Sequence, residues 1–375
     1  MSTSCSLKIP PVKVRDPYVD ILKGIGIISI VVGHSGPVFV PIINFAIIDF
    51  VYSYHIMLFM FVLGFLFNKD KAVPPYQYIG KTVFSQGKNF LLYSTIFISL
   101  HNVFLKWNFI VGDVYDFKTV VSKILRAITL NCDETLLGAL WFVPVYIFTA
   151  IGFSVLFNLA EKTKIPNIMH VVFMLAVMVI GITVNHAGDW YPYHTQTSFL
   201  AIPVCYFGYF AKKYWNHVNK FITWYGGIIA AVALYLLITS GIGKIELSVN
   251  MILSPYLFYP ATLLGIYYCL ALAKVIKTFK YTRVTVSHIG KNSFHIMAMH
   301  FAVIKAVDNI YGIITKQDIS VITKFPYAFD LWNVYYPLGI LVPVFIVFLI
   351  NQAKKYSIVG FEKIKSIKKY DKAEN

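Results

Sequence analysis

The chain has 375 residues, of which 58% are hydrophobic and only 13% are charged, and its mean hydropathy is +0.66. A soluble domain carries about twice that share of charged residues, so the composition excludes a soluble enzyme. It predicts instead a polytopic α-helical membrane protein. The net charge of +16 does not indicate nucleic acid, because the basic residues are spread over many loops rather than gathered on one domain.

The hydropathy pattern predicts an all-α fold, an integral membrane bundle of about ten transmembrane helices. An even number of spans places both termini on the same side of the membrane. We expect one membrane domain over residues 1–352, followed by a basic tail over residues 353–375. In chain order the predicted spans are 18–38, 49–67, 89–106, 136–159, 168–185, 198–211, 221–240, 251–275, 293–311 and 332–350.

The basic residues predict which side the termini occupy. Most of the 33 lysines and arginines lie at the two termini and in the loops on the same side as the termini. Cytoplasmic loops carry such an excess, so both termini are predicted to be cytoplasmic. The basic, partly amphipathic tail is expected to lie on the anionic lipids of the inner leaflet.

The first predicted span carries an unusual set of ionisable residues. Lys23 and His34 are eleven residues apart, which is three helical turns plus roughly 20°, so both lie on one helix face about 16 Å apart along the axis. Asp20 lies within about 40° of the same line. Ionisable groups at membrane depth usually face a bundle interior or a water-filled cavity. The alternative is that Lys23 reaches the headgroups and His34 ends the helix.

The loops predicted to lie outside are rich in aromatic residues, at 107–115, 185–194 and 325–336. Aromatic rings beside polar groups can stack on sugar faces, but they also form the interfacial belt that membrane proteins generally carry. The four scattered cysteines, Cys5, Cys132, Cys205 and Cys269, predict neither a metal site nor a disulfide framework.

Four segments, in this order along the chain, resemble the acyltransferase-3 family of membrane proteins, which includes O-acetyltransferases of bacterial surface polysaccharides. The first pairs a basic residue with a histidine after a ten-residue gap, the third is a Trp-Phe-x-Pro helix start, and the last is a Gly-x-Asn-Ser helix start with a following histidine. The second departs from the family, which has Pro at Met57 and Ser at Leu63. The segments are Asp20–Gly24 with His34, Tyr54–Phe65, Leu140–Pro144, and Ile289–Phe294 with His300.

This resemblance implies an enzyme of the bacterial plasma membrane that takes an acyl group, most simply acetyl, from cytoplasmic acyl-CoA. The acceptor would be a hydroxyl of a surface glycan or lipid-linked sugar at the outer face. Acyl-CoA would then be a co-substrate, with no permanently bound cofactor. His34 matches the family histidine, and histidine is the side chain suited to act as a general base at neutral pH.

Fixed positive charge is needed for the phosphates of the donor. Lys23 matches the basic residue of the family motif. The family often carries paired arginines in the loop after the second helix, where this chain has Lys81 and Lys88. Lysine serves a phosphate as a compact point charge, whereas arginine would give a two-pronged hydrogen bond. We therefore expect Lys23, Lys81 and Lys88 to bind the donor.

Six further residues have supporting roles with structural alternatives. Asp20 can pair with Lys23 one turn away, and Trp141 is expected to set the start of its helix together with Pro144. Asn292 and Ser293 are typical helix N-caps. His55 could lie near His34 or could simply be a hydrogen-bonded core residue, and His300 is open to either interpretation.

Two other functions remain open on the sequence alone. Ten helices with intramembrane lysine, histidine and aspartate would suit a transporter or flippase, although the sequence shows no inverted repeat. A partner subunit of a polysaccharide assembly machine would need no chemistry of its own. A homo-oligomer is compatible with either interpretation.

Overall fold

A computed structural model describes residues 16–36, 39–40, 45–71, 75–186, 191–242, 245–252, 254–318 and 331–371. Parts of the predicted outer aromatic loops, at 187–190 and 325–330, lie outside these residues, as does the end of the tail at 372–375. The described chain is an all-α bundle, which confirms the predicted fold class. The α-helices are α1 Pro17–His34, α2 Ile47–Tyr52, α3 His55–Leu66, α4 Pro75–Lys106, α5 Phe117–Ile128, α6 Phe142–Glu161, α7 Pro166–His186, α8 Thr195–Lys213, α9 Trp215–Phe221, α10 Trp224–Leu237, α11 Phe258–Thr278, α12 Lys280–Lys291, α13 Ser293–Ile314 and α14 Trp332–Asp371.

Short elements connect these helices. Within the described residues, two antiparallel hairpins of two-residue strands occur, β1 Phe39–Val40 with β2 Phe45–Ala46, and β3 Ile245–Glu246 with β4 Met251–Ile252. The 3₁₀ segments are Lys69–Lys71, Thr135–Trp141, Pro192–His194, Leu247–Val249 and Pro255–Leu257, and a π turn covers Ile238–Ile242.

Helices lie at all ten predicted positions, but their apolar character differs. Seven described spans are long and apolar enough to cross a membrane, and the bent pair α9–α10, with an angle of 73°, makes an eighth. The seven are 17–34, 47–66, 135–161, 166–185, 255–278, 293–314 and 332–356. The predicted third and sixth spans correspond to the less apolar helices α4 and α8. The polytopic bundle is therefore established, and the count of ten stays a prediction.

Helix α8 is less apolar than those spans, and some of its polar residues are buried inside the bundle. Gln196, Thr197 and Ser198 in its first turn are all buried. The helix packs closely along α3, where a β-carbon on Gly64 would stand 1.9 Å from the carbonyl oxygen of Cys205. A hydropathy scan therefore underestimates a helix that contacts protein rather than lipid.

Helix α1 lies in the middle of the bundle, in contact with α3, α11, α12, α13 and α14. It begins where the Asp16 side chain accepts a hydrogen bond of 3.0 Å from the Tyr18 N–H, with Pro17 at the first helical position. It ends at His34, four residues before the predicted boundary. The histidine therefore lies at the end of the helix, where its ring can face residues of other segments.

The last helix, α14, runs without a break from Trp332 to Asp371. The predicted boundary at residue 352 between membrane domain and basic tail thus falls inside one continuous helix. The helix continues because no glycine or proline follows Pro343 until Gly360. The division into domain and tail stays a prediction.

Candidate active site

A pocket at the C-terminal end of α1, which we name the His34 pocket, collects residues from five parts of the chain. The space between its wall residues amounts to about 410 Å³, part of it open to solvent. Aromatic and imidazole side chains make up much of its wall, and Glu246 brings a carboxylate. It is lined by Ile30, His34, Tyr52, His55, Ile56, Ala139, Trp141, Phe142, Glu246, Leu247, Ser248 and Met297.

His34 is hydrogen bonded to a second histidine. Its Nδ1 lies 3.3 Å from Nε2 of the buried His300, and the two rings are stacked with centroids 5.3 Å apart. The Nδ1 of His300 lies 3.0 and 2.9 Å from the carbonyl oxygens of Ile296 and Met297, which can only accept, so it carries a proton. In a neutral His300 ring, Nε2 therefore accepts from the Nδ1–H of His34. This leaves the lone pair of His34 on Nε2, the arrangement that a general base requires.

His55 also lines the His34 pocket, as the sequence suggested it could. Its Nδ1 donates a hydrogen bond of 2.8 Å to the carbonyl oxygen of Val51. The ring of Tyr52 packs between the two histidines, 4.8 Å from His55 and 6.2 Å from His34 by ring centroids. The Tyr52 ring fits because residue 33 is glycine, where a β-carbon would stand 2.4 Å from it.

A second pocket, which we name the Lys23 pocket, lies at the N-terminal end of α1. The space between its wall residues amounts to about 900 Å³, part of it open to solvent, and its lining is more polar than that of the His34 pocket. Asp20, which is buried, and Lys23 both line it. The full lining is Asp20, Lys23, Ile27, Phe59, Gln86, Asn89, Phe142, Val143, Tyr146, Gly290, Lys291, Ser293, Phe294 and Met297.

A close helix crossing builds one wall of the Lys23 pocket. Helices α1 and α12 meet at two glycines, and a β-carbon on Gly290 would stand only 1.8 Å from the carbonyl oxygen of Asp20. A β-carbon on Gly24 would stand 2.3 Å from the carbonyl oxygen of Val286. This contact brings Lys291, which follows Gly290, to the same pocket as Lys23.

One face of α1 contributes residues to both pockets. Lys23 and Ile27 line the Lys23 pocket, whereas Ile30 and His34 line the His34 pocket. These four positions are spaced as one face of a helix. Phe142 and Met297 line both pockets and stand between them.

Lys81 and Lys88 are placed differently from the expectation of a loop after the second span. Both are exposed side chains on α4, which begins at Pro75. The same helix presents Gln86 and Asn89 to the Lys23 pocket. The expected loop is helical because the chain between Pro75 and Lys106 contains no further proline to interrupt it.

The predicted helix starts at Trp141 and at Asn292 have different outcomes. α6 begins at Phe142, directly after Trp141, with Pro144 in its first turn, as predicted. Trp141 also lines the His34 pocket, 5.0 Å from the His194 ring by centroids.

Asn292 occupies the N-cap position of α13, as predicted, but its side chain makes no capping hydrogen bond there. Its amide nitrogen instead donates 2.9 Å back to the carbonyl oxygen of His288, because the residue also ends α12. Ser293 begins α13 and lines the Lys23 pocket.

Sequence reasoning missed several polar residues of these pockets, among them Gln86, Asn89, Glu246, Ser248 and Lys291. Lys291 lies inside the segment Ile289–Phe294, which resembles a family motif, and this position could have marked it as a site residue. Glu246 is the second residue of strand β3, and a carboxylate among mainly apolar residues was its only signal in the sequence. Its carboxylate accepts a hydrogen bond of 3.3 Å from the Ser248 hydroxyl.

Comparison with known protein families gives one match. The family model Acyl_transf_3, described as an acyltransferase domain, matches residues 16–352, which includes both pockets. Neither the search of curated proteins nor the search of solved structures found a match.

Proposed function

Because the chain belongs to the acyltransferase-3 family, we propose that it transfers an acetyl group from cytoplasmic acetyl-CoA to a hydroxyl of a surface glycan or lipid-linked sugar. The proposed setting is the bacterial plasma membrane, with the Lys23 pocket at the cytoplasmic face and the His34 pocket at the outer face. The observation that carries the proposal is the stripe of α1 that runs from Lys23 in one pocket to His34 in the other.

The Lys23 pocket suits a phosphate-bearing donor. Lys23 and Lys291 bring two amines to its wall, and Gln86 and Asn89 bring side-chain amides. Amines bind phosphate oxygens as point charges, and amide N–H groups add directed hydrogen bonds. In this proposal the exposed Lys81 and Lys88 attract the donor from solution and contact its outer phosphates.

The His34 pocket suits the acceptor and the chemistry. Nε2 of His34 takes the proton of the acceptor hydroxyl while the hydroxyl oxygen attacks the thioester carbonyl carbon. The new C–O ester bond forms, the C–S bond breaks, and the proton held by His34 passes to the departing CoA sulfur. During the step the Nδ1–H of His34 stays hydrogen bonded to Nε2 of His300, which fixes the ring orientation.

The remaining lining residues suit a sugar. Trp141 and Tyr52 offer aromatic faces, while Glu246 and Ser248 offer hydrogen-bonding groups. Sugars present apolar C–H faces and polar hydroxyl edges, so such a mixed wall favours them over a purely apolar acceptor.

The test uses inside-out membrane vesicles from the source organism, which carry the native acceptor. Vesicles from a strain lacking the gene are compared with vesicles from the same strain complemented with it, after incubation with radiolabelled acetyl-CoA. The proposal expects alkali-labile label in the glycan fraction only in the complemented vesicles. Equal labelling of both strains contradicts it, and a transporter or flippase would give that result.

A further inference from the structure

Four apolar side chains stand between the two pockets, and we name them the collar: Ile27, Ile30, Phe142 and Met297. Ile27 lines the Lys23 pocket, Ile30 lines the His34 pocket, and Phe142 and Met297 line both. All four are buried. The polar groups thus lie at either end of α1, and the junction between them is apolar.

Aromatic side chains pack against Phe142, one of the four collar residues. The Phe142 ring lies edge-on to Phe59, with centroids 5.8 Å apart, and 5.9 Å from Tyr146. The Phe59 ring is in turn pressed against α1, since a β-carbon on Gly26 would stand 2.8 Å from it. Close-packed protein interiors do not readily accommodate extra volume, so we expect the Phe142 ring to keep its position.

The collar is also connected to the histidine pair. The carbonyl oxygen of Met297 accepts the 2.9 Å hydrogen bond from Nδ1 of His300, whose Nε2 is bonded to His34. The Met297 side chain therefore projects from the same turn of α13 that fixes the histidines. Met297 and His300 are three residues apart on α13, so the Met297 side chain lies about one helical turn from the partner of the base.

We propose that the collar sets the length of the acyl chain that this enzyme transfers, admitting acetyl and excluding longer chains, with Met297 as the main determinant. The inference rests on the proposed function. An acyl chain that must lie between Phe142 and Met297 during transfer collides with them as it lengthens. One methylene in an apolar pocket changes specificity by about tenfold to two-hundredfold, which is enough to separate acetyl from butyryl donors.

The experiment compares donors in the inside-out vesicles described above, supplied with radiolabelled acetyl-, butyryl- or hexanoyl-CoA. Met297→Ala removes the side chain beyond its β-carbon and should raise the butyryl-to-acetyl ratio of glycan labelling by about tenfold or more. Phe142→Leu shortens the other side chain that lines both pockets and should shift the ratio in the same direction. The matched control is Met299→Ala on the same helix, because Met299 lines neither pocket. It should keep the wild-type ratio.

The outcomes separate this inference from the proposed function. Wild-type labelling by acetyl-CoA together with a raised ratio in Met297→Ala or Phe142→Leu supports both. Wild-type labelling at similar rates by all three donors overturns the collar and leaves the proposed function intact, as does an unchanged ratio in both variants. Absence of labelling by every donor in the wild-type vesicles overturns the proposed function itself.

Discussion

Nδ1 of His34 lies 3.3 Å from Nε2 of His300, although the two residues are 266 positions apart in the chain. The hydrogen bond joins the end of α1 to the second turn of α13. Because the backbone carbonyls of Ile296 and Met297 fix the proton on the other nitrogen of His300, this single contact determines which nitrogen of His34 holds the lone pair. His300 is therefore a positioning residue for the proposed base.

A first prediction concerns that positioning. His300→Leu removes the acceptor for the Nδ1–H of His34, and we expect glycan acetylation to fall by about tenfold to a hundredfold. That range corresponds to losing a hydrogen bond to a charged group, about 1.5–3 kcal/mol. His300→Asn retains an acceptor oxygen and should recover part of the loss. The measurement is the initial rate of glycan labelling in vesicles as a function of pH.

A structural role for His300 alone would give a different pattern. Leucine and asparagine variants would then lose activity in proportion to their loss of folded protein, and the shape of the pH profile would stay as in the wild type. That result would contradict the positioning role.

A second prediction concerns the crossing of α1 and α12. Gly290→Ala places a β-carbon against the backbone of Asp20, so the helices must separate, and overpacking of this kind costs about 1–3 kcal/mol. We expect a lower unfolding temperature of the detergent-solubilised protein. The matched control is Gly87→Ala on α4, where a β-carbon would meet no atom within 4 Å. Equal unfolding temperatures for the two variants would show that the helices do not cross this closely.

A third prediction concerns the donor. Lys23→Gln and Lys291→Gln remove a positive charge from the Lys23 pocket while keeping hydrogen-bonding capacity. Each should raise the apparent KM for acetyl-CoA about tenfold to a hundredfold, with kcat changed less. Lys88→Gln, at an exposed position beside the Phe84 ring, should have a smaller effect that fades as salt is added.

A different pattern of donor affinities would contradict the predicted phosphate site. Unchanged donor affinity in Lys23→Gln and Lys291→Gln at low salt, with a large loss in Lys81→Gln or Lys88→Gln, would move the phosphate site to the exposed face of α4.

A fourth prediction concerns orientation. Single cysteines at Val114 and Lys164, both exposed, are introduced in a background without the native cysteines. In intact cells an impermeant thiol reagent should label the cysteine at Val114, between α4 and α5. It should label the one at Lys164, between α6 and α7, only after the cells are opened. Labelling in the reverse pattern would invert the predicted topology.

The sequence could predict the face shared by Lys23 and His34, because an unbroken helix fixes the angle between positions eleven residues apart. It could not predict that Gly24 and Gly290 meet, since the separation of two helices far apart in sequence depends on packing by the whole bundle. The place of Glu246 in the His34 pocket could not be predicted for a similar reason. The β3–β4 hairpin has strands of only two residues, and its place over the His34 pocket comes from tertiary contacts.

The span prediction shows the same division between local and global information. Helix starts such as the one marked by Trp141 and Pro144 depend on local chemistry and were predicted correctly. Helix α4 was placed too short, because its N-terminal half carries exposed Lys81 and Lys88 and so lacks the apolar signal of a span. The roles of the site residues stay predictions that mutation must test.

The most direct test of the account is glycan acetylation by variants of His34, measured by mass spectrometry of the surface glycan and by labelling in vesicles. His34→Ala should reduce acetylation by about 10²–10⁴, the usual cost of losing a general base, with unchanged membrane abundance and acetyl-CoA binding. His34→Gln should be equally inactive, because an amide forms hydrogen bonds but does not take up the proton. His217→Ala, at an exposed histidine on α9, serves as the control and should acetylate normally. Near-normal acetylation by either His34 variant would contradict the central claim that His34 is the base.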